Sequence, residues 1–129
     1  MPDIELLSPA GDMECLRAAL RFGADAVYVG GPRLQLRAGA TGFSMDALAD
    51  AARKVHALGR KLYVTVNAFP NNREIDGLGD YAQALKQAGA DAAIVADLGA
   101  IAAIRRAVPS LDVHVSTQAN CVNYLAARV

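Results

Sequence analysis

Gly23-Ala-Asp-Ala-Val-Tyr-Val-Gly-Gly31 returns later in the chain as Gly89-Ala-Asp-Ala-Ala-Ile-Val-Ala-Asp97, and each copy follows an amphipathic stretch. Glycine accepts the left-handed conformation that closes a helix, Asp suits the tight turn beyond it, and the short apolar run suits a strand buried on both faces. The repeat is a helix-to-strand step used twice. Chains assembled from such steps fold as parallel α/β sheets or barrels, which carry their chemistry on the loops that follow the strands.

Outward from the repeat, the same alternation continues. A first strand is expected over residues 4–7, stopped by Ser8-Pro9-Ala10-Gly11, with Asp12 capping a helix whose apolar positions are Met13, Leu16 and Leu20. Strand two is expected over 26–29, followed by a loop rich in turn formers from Gly30 to Gly42. Ser44 caps helix two, with Leu48, Ala51, Val55 and Leu58 at helical spacing. Strand three is expected over 61–66. One helix carrying Ile75, Leu78, Ala82 and Leu85 stops at Gly89, strand four covers 92–96, and a helix from Leu98 ends before Pro109. A fifth strand over 112–116 and a last helical stretch from Asn120 complete the pattern. No hairpin dipeptide joins neighbouring strands, and Asp76-Gly77 lies inside a helical pattern.

The 129 residues make one domain, residues 1–129, and 53% hydrophobic content agrees with helices packed on a sheet. An eight-stranded barrel takes about 250 residues. The chain therefore reads either as the N-terminal part of a TIM-barrel-like protein, an incomplete barrel of about five strands, or as a complete flavodoxin-like domain. Thirteen basic and thirteen acidic side chains cancel, so no global field holds it on nucleic acid or an anionic membrane. Two widely separated cysteines, Cys15 and Cys121, indicate a reducing, cytoplasmic setting without a disulfide framework. Cys15 is expected to be buried on its helix. No leader or membrane-spanning segment is expected.

Alternation along strand three sets Leu62, Val64 and Val66 against Tyr63, Thr65 and Asn67, and strand five sets Val113 and Val115 against Asp112, His114 and Ser116. A sheet covered by helices on both faces buries apolar residues on both. A barrel resolves the polarity, because Glu5, Tyr28, Tyr63, Thr65, Asn67, Asp97, His114, Ser116 and Gln118 then converge on its lumen and mouth.

Individual motifs are weaker. Ser8-Pro9-Ala10-Gly11-Asp12 offers backbone N–H groups at a helix start to an anion, or is an ordinary capped turn. Gly30 and Gly31 permit close approach to a ligand, but no dinucleotide or nucleoside triphosphate fingerprint surrounds them. Arg33 and Arg37 lie in the same loop and suit phosphate or carboxylate, or plain solvation. Asp97 fits both a general base and a helix cap. His114 fits an acid, a base, a metal ligand or a hydrogen-bonded interior residue. No nucleophile elbow is present, and no metal site is expected within the chain.

Five stretches taken together are familiar: Glu5-Leu-Leu-Ser-Pro-Ala-Gly-Asp12, Gly23-Ala-Asp-Ala-Val-Tyr-Val-Gly-Gly31, Tyr63-Val-Thr-Val-Asn67, Ala93-Ile-Val-Ala-Asp-Leu-Gly99 and His114-Val-Ser-Thr-Gln-Ala-Asn120. In this order, over essentially the whole chain, they resemble the start of the collagenase-like peptidase family U32, of unassigned catalytic type. The resemblance implies a TIM-barrel-like domain. It implies three activities among members: collagen degradation, hydroxylation of transfer or ribosomal RNA, and ubiquinone hydroxylation. In the hydroxylating members, cysteines further along the chain hold an iron–sulfur cluster, and the family's cysteine-bearing signature is expected beyond Val129.

The first functional reading is thus the N-terminal portion of a collagenase-like peptidase, inactive by itself and without a cofactor of its own. The alternatives are a parent that hydroxylates RNA or ubiquinone with an iron–sulfur cluster, and a non-catalytic binding or dimerising module. Candidate catalytic residues are Asp97 and His114. Candidate substrate-binding residues, for peptide or RNA, are Ser8, Asp12, Gly30, Gly31, Arg37, Asn67, Ser116, Gln118 and Asn120. An open barrel edge is expected to pair with a second copy.

Overall fold

The computed structural model describes residues 4–36 and 42–128. Five strands, β1 (Leu7–Ala10), β2 (Ala26–Gly30), β3 (Lys61–Val66), β4 (Ala92–Val95) and β5 (Asp112–Val115), form one parallel sheet in the order β1-β2-β3-β4-β5. Between them run α1 (Met13–Arg21), α2 (Met45–His56), the pair α3 (Asn72–Asp76) and α4 (Leu78–Gln87), and α5 (Leu98–Ala107). Each strand pairs with the next in sequence. A flavodoxin-like sheet reverses direction and has the order 2-1-3-4-5. The observed order is that of a singly wound arc, the arrangement of βα units in a barrel, here not closed.

The two faces of the arc differ as the alternation requires. Leu62, Val64 and Val66 of β3 join Val27, Val29, Ala93 and Val95 in one cluster, which also takes Leu16, Leu48, Leu78 and Ile104 from the helices. On the opposite face, Ala26, Tyr63 and Ala92 form a smaller cluster with Tyr28 and Ile94, to which no helix contributes. Among the described residues all helices therefore cover one face, and no helix is long and apolar enough to cross a membrane.

The repeated Gly-Ala-Asp unit acts as a stop and a register pin. Gly23 and Gly89 take φ values of 96° and 98°, ending α1 and following α4 in a conformation that other residues resist. Asp25 and Asp91 then reach back to the neighbouring strand. Leu6 N–H donates to Asp25 Oδ2 at 2.8 Å, and Leu62 N–H donates to Asp91 Oδ2 at 2.7 Å. In both copies the Asp N–H donates to the same neighbour's carbonyl, at 2.9 Å.

Four expectations are corrected. The first strand lies over Leu7–Ala10 and not 4–7, because Asp25 takes the Leu6 amide and the ladder starts at Leu7 opposite Ala26. Pro9 is tolerated there since β1 is an edge strand. The single helix expected before Gly89 is two, divided at Gly77: Asn71 and Glu74 form a reciprocal capping box on α3, and Gly77 ends α3 and begins α4. No helix starts at Asn120. A 3₁₀ turn over Thr117–Ala119 ends there, with Asn120 at φ 55°, and a second covers Ala126–Arg128. Cys15 is exposed, because the buried stripe of α1 runs through Leu16 and Leu20.

Candidate functional site

A parallel arc places the carboxyl ends of its strands along one rim, and the open face beneath that rim holds a pocket of ≈ 430 Å³. Pro9, Tyr28 and Gly30 line it from the first two strands. Thr65, Asn67 and Ile94 line it from the centre, and His114, Ser116 and Gln118 from β5 and the turn after it. Gln35, Leu36 and Gly42 close it from the β2–α2 connection.

The sequence candidates divide. Gly30, Asn67, His114, Ser116 and Gln118 are brought together in the pocket wall. Ser8 sits on β1 between Leu7 and Pro9, which line the pocket, so alternation turns Ser8 to the helix side. Asp12 caps α1, its Oδ1 accepting from Cys15 N–H at 2.7 Å, and that bond holds its carboxyl below the usual range. Gly31 packs where a Cβ would strike the Tyr81 hydroxyl. Asp97 caps α5, accepting from Ala100 N–H at 2.7 Å, and Asn120 closes a turn. None of these five lines the pocket. Arg37 lies outside the described residues.

A polar floor supports the pocket. The Tyr63 hydroxyl donates to Glu5 Oε1 at 2.7 Å, and Glu5 Oε2 lies 3.6 Å from Lys61 Nζ. The Tyr63 ring meets the His114 ring edge-on, with centroids 4.6 Å apart. Burial above all, and then the bond to Glu5, raise the Tyr63 phenol well above its usual value of 10.0. Tyr63 is therefore a neutral donor across the physiological range, and His114 has a fixed surface to rest on.

Gln35 is a wall residue that sequence reasoning missed. A Cβ on Gly30 would run into its side-chain amide and displace it, while a Cβ on Gly42 would meet both that amide and the backbone carbonyl of Gly31, so the β2–α2 connection closes over the sheet in this form only with glycine at 42. The connection is tied down by Phe43 N–H to Gly30 O at 2.8 Å and Ala68 N–H to Leu34 O at 2.9 Å. The two glycines were visible in sequence, but the residue they make room for was not.

The described lining contains no Asp, Glu, Lys or Arg. Its chemistry is that of amides, hydroxyls and one imidazole, which suits a neutral ligand with both donors and acceptors. The Ser116 hydroxyl donates to Gln118 Oε1, so the pair Ser116 and His114 is not joined as nucleophile and base. The described residues contain no group of three or more His, Cys, Asp or Glu side chains able to share a metal ion. An iron–sulfur cluster takes several thiolates. Cys15 on the outer surface of α1 and Cys121 beyond β5 do not supply that set.

Comparison with known proteins gives this geometry a context. The chain is 42% identical over 124 residues to tRNA hydroxylation protein P1 of Bacillus subtilis, an alignment covering 96% of this chain and 29% of that protein. It is 37% identical over 115 residues to the 23S rRNA 5-hydroxycytidine C2501 synthase of Escherichia coli, covering 89% of this chain and 17% of that protein. An uncharacterized protease of Methanocaldococcus jannaschii is 35% identical over 125 residues, covering 97% of this chain and 30% of that protein. The chain thus spans under a third of the length of these relatives. The sequence profile of one family matches residues 11–129, nearly the whole arc of βα units described above, and the chain belongs to peptidase family U32.

Proposed function

We propose that this chain forms part of an RNA hydroxylation protein, with the open-face pocket receiving a pyrimidine base turned out of an RNA strand. The observation that carries the reading is the pocket wall: neutral amides and hydroxyls beneath the strand ends, with no charged side chain in its described lining. A base that leaves its stack is read by hydrogen bonds and stacking. The names of the relatives agree, since tRNA and rRNA hydroxylation proteins are prominent among them. The collagenase-like peptidase reading that leads on sequence alone gives way here. One relative is called a protease, and here the Ser116 hydroxyl donates to Gln118 Oε1 and is not joined to His114 as nucleophile and base.

The reading includes action in the cytoplasm, where RNA is. It also includes an iron–sulfur cluster in the longer protein, ligated from outside these 129 residues. Deleting the gene in its native host and digesting total tRNA and rRNA to nucleosides tests it by mass spectrometry. A hydroxylated pyrimidine is expected to vanish and to return with the full-length gene. An unchanged nucleoside profile together with gelatin cleavage by the purified full-length protein would restore the peptidase.

A second reading concerns assembly. β1 and β5 are the sheet's edges, Leu6, Leu7 and Val115 are exposed at them, and Val122, Tyr124 and Leu125 are exposed in the stretch that follows β5. We propose that the 129-residue chain by itself covers these edges by pairing with a second copy. Light scattering across micromolar concentrations is expected to give a dimer mass, and a constant monomer mass would refute the pairing.

A further inference from the structure

We propose that Asn67 is the residue that reads the hydrogen-bonding edge of the base in the pocket, an inference that rests on the RNA reading above. Asn67 directly follows the central strand β3, and the next residue is fixed by the bond from Ala68 N–H to Leu34 O. Its side chain lines the pocket, yet its Oδ1 is buried and has no hydrogen-bond partner among the described residues. Buried carbonyl oxygens without a donor are rare in folded proteins and call for a specific explanation. The terminal amide torsion of Asn is broad, so the assignment calls for a rotation of the Asn67 amide that brings its oxygen to the base when one is bound.

The chemistry selects the ligand group. An amide presents an acceptor beside a donor, and the pairing edge of uracil or cytosine presents a donor beside an acceptor. A carboxylate or phosphate would satisfy neither Asn67 Oδ1 nor the need for a cation, since the described lining supplies none. The neighbouring wall fits a flat ring. His114 is held edge-on by Tyr63 and is exposed on the pocket side, and Thr65 Oγ1 is already committed to Val29 O at 3.3 Å. Asn67 is thus the amide in the central wall with bonding capacity to give.

The test uses the full-length protein in the deletion host, with wild type, Asn67→Ala and Asn67→Asp each supplied on a plasmid. The readouts are the hydroxylated pyrimidine per RNA and the Tm of each purified protein. Asn67→Ala removes the acceptor, and Asn67→Asp keeps its size but removes the donor and adds a charge. Each is expected to lower the modified nucleoside about tenfold or more, the discrimination of one lost bidentate contact. The Tm of Asn67→Ala is expected to be unchanged or higher, because the carbonyl it removes has no partner to lose. Wild-type levels of modification in both variants would overturn the assignment. So would a loss of modification that tracks a fall in Tm, which marks a scaffold residue. Failure of the wild-type gene itself to restore a hydroxylated base would instead overturn the RNA reading, and the role of Asn67 with it.

Discussion

Asp91→Ala is expected to lower the stability of the fold by about 1–3 kcal/mol, and Asp25→Ala by less than about 1 kcal/mol, although the two residues occupy the same place in the repeat. The difference lies in what each carboxylate holds. Asp91 accepts from the amide of Leu62, a fully buried residue of the central strand, and its Oδ2 also lies 2.8 Å from His56 Nε2. Removing it leaves a strand N–H in the interior without an acceptor, which costs about 1–3 kcal/mol, and the exposed His56 contact adds a few tenths. Asp25 accepts from Leu6, which is 56% exposed, so water replaces the lost carboxylate. Asp91→Asn keeps an acceptor and is expected to cost under about 1 kcal/mol. Urea denaturation of the four proteins checks the series. Equal losses for the two alanine variants would show that burial of the amide does not set the cost.

The glycines of the same repeat give the second large effect. Gly23→Ala meets no atom within 4 Å of the new Cβ, so it pays only for the left-handed backbone, about 1–2 kcal/mol. At Gly89 the new Cβ would lie 2.7 Å from Ala52 Cβ on α2, and overpacking adds about 1–3 kcal/mol. Gly89→Ala is therefore expected to cost about 2–5 kcal/mol in total. Adding Ala52→Gly removes the clash. The double variant is expected to be less damaged than the sum of its parts, a coupling that thermal or urea unfolding measures directly. Strict additivity would show that α2 shifts to accommodate the methyl group.

These comparisons also show what could be read in advance. The Gly-Ala-Asp unit announced helix end and strand start, and β3 over Lys61–Val66 agrees with its alternating pattern. The polarity of Tyr63, Thr65 and His114 pointed to a face without helices, which the structure has. The start of β1 was not legible, because it is set by a carboxylate distant in sequence, Asp25. The break at Gly77 was hidden by apolar spacing that runs through it, and only the capping box between Asn71 and Glu74 marks α3 as separate. Within the site, His114 on β5 and Asn67 just past β3 follow from periodicity. Gln35 does not, since its place depends on how a connection of irregular shape folds back onto Gly30 and Gly42.

The sequential strand order has a temporal side. A ribosome releases a chain from its amino end, and domains form as their segments emerge. In this sheet β2 needs only β1, β3 needs only β2, and so on to β5, so no strand waits for a later one to open a place for it. Each pairing joins a strand to the one made immediately before it, as in Leu7 with Ala26 and Ala92 with Asp112, so no pairing spans more than one βα unit. A flavodoxin-like order would instead require β3 to dock against the first strand after the second had passed to its far side. The arc can be laid down in the direction of synthesis, with β5 as the growing edge at each moment when the units before it are already in place.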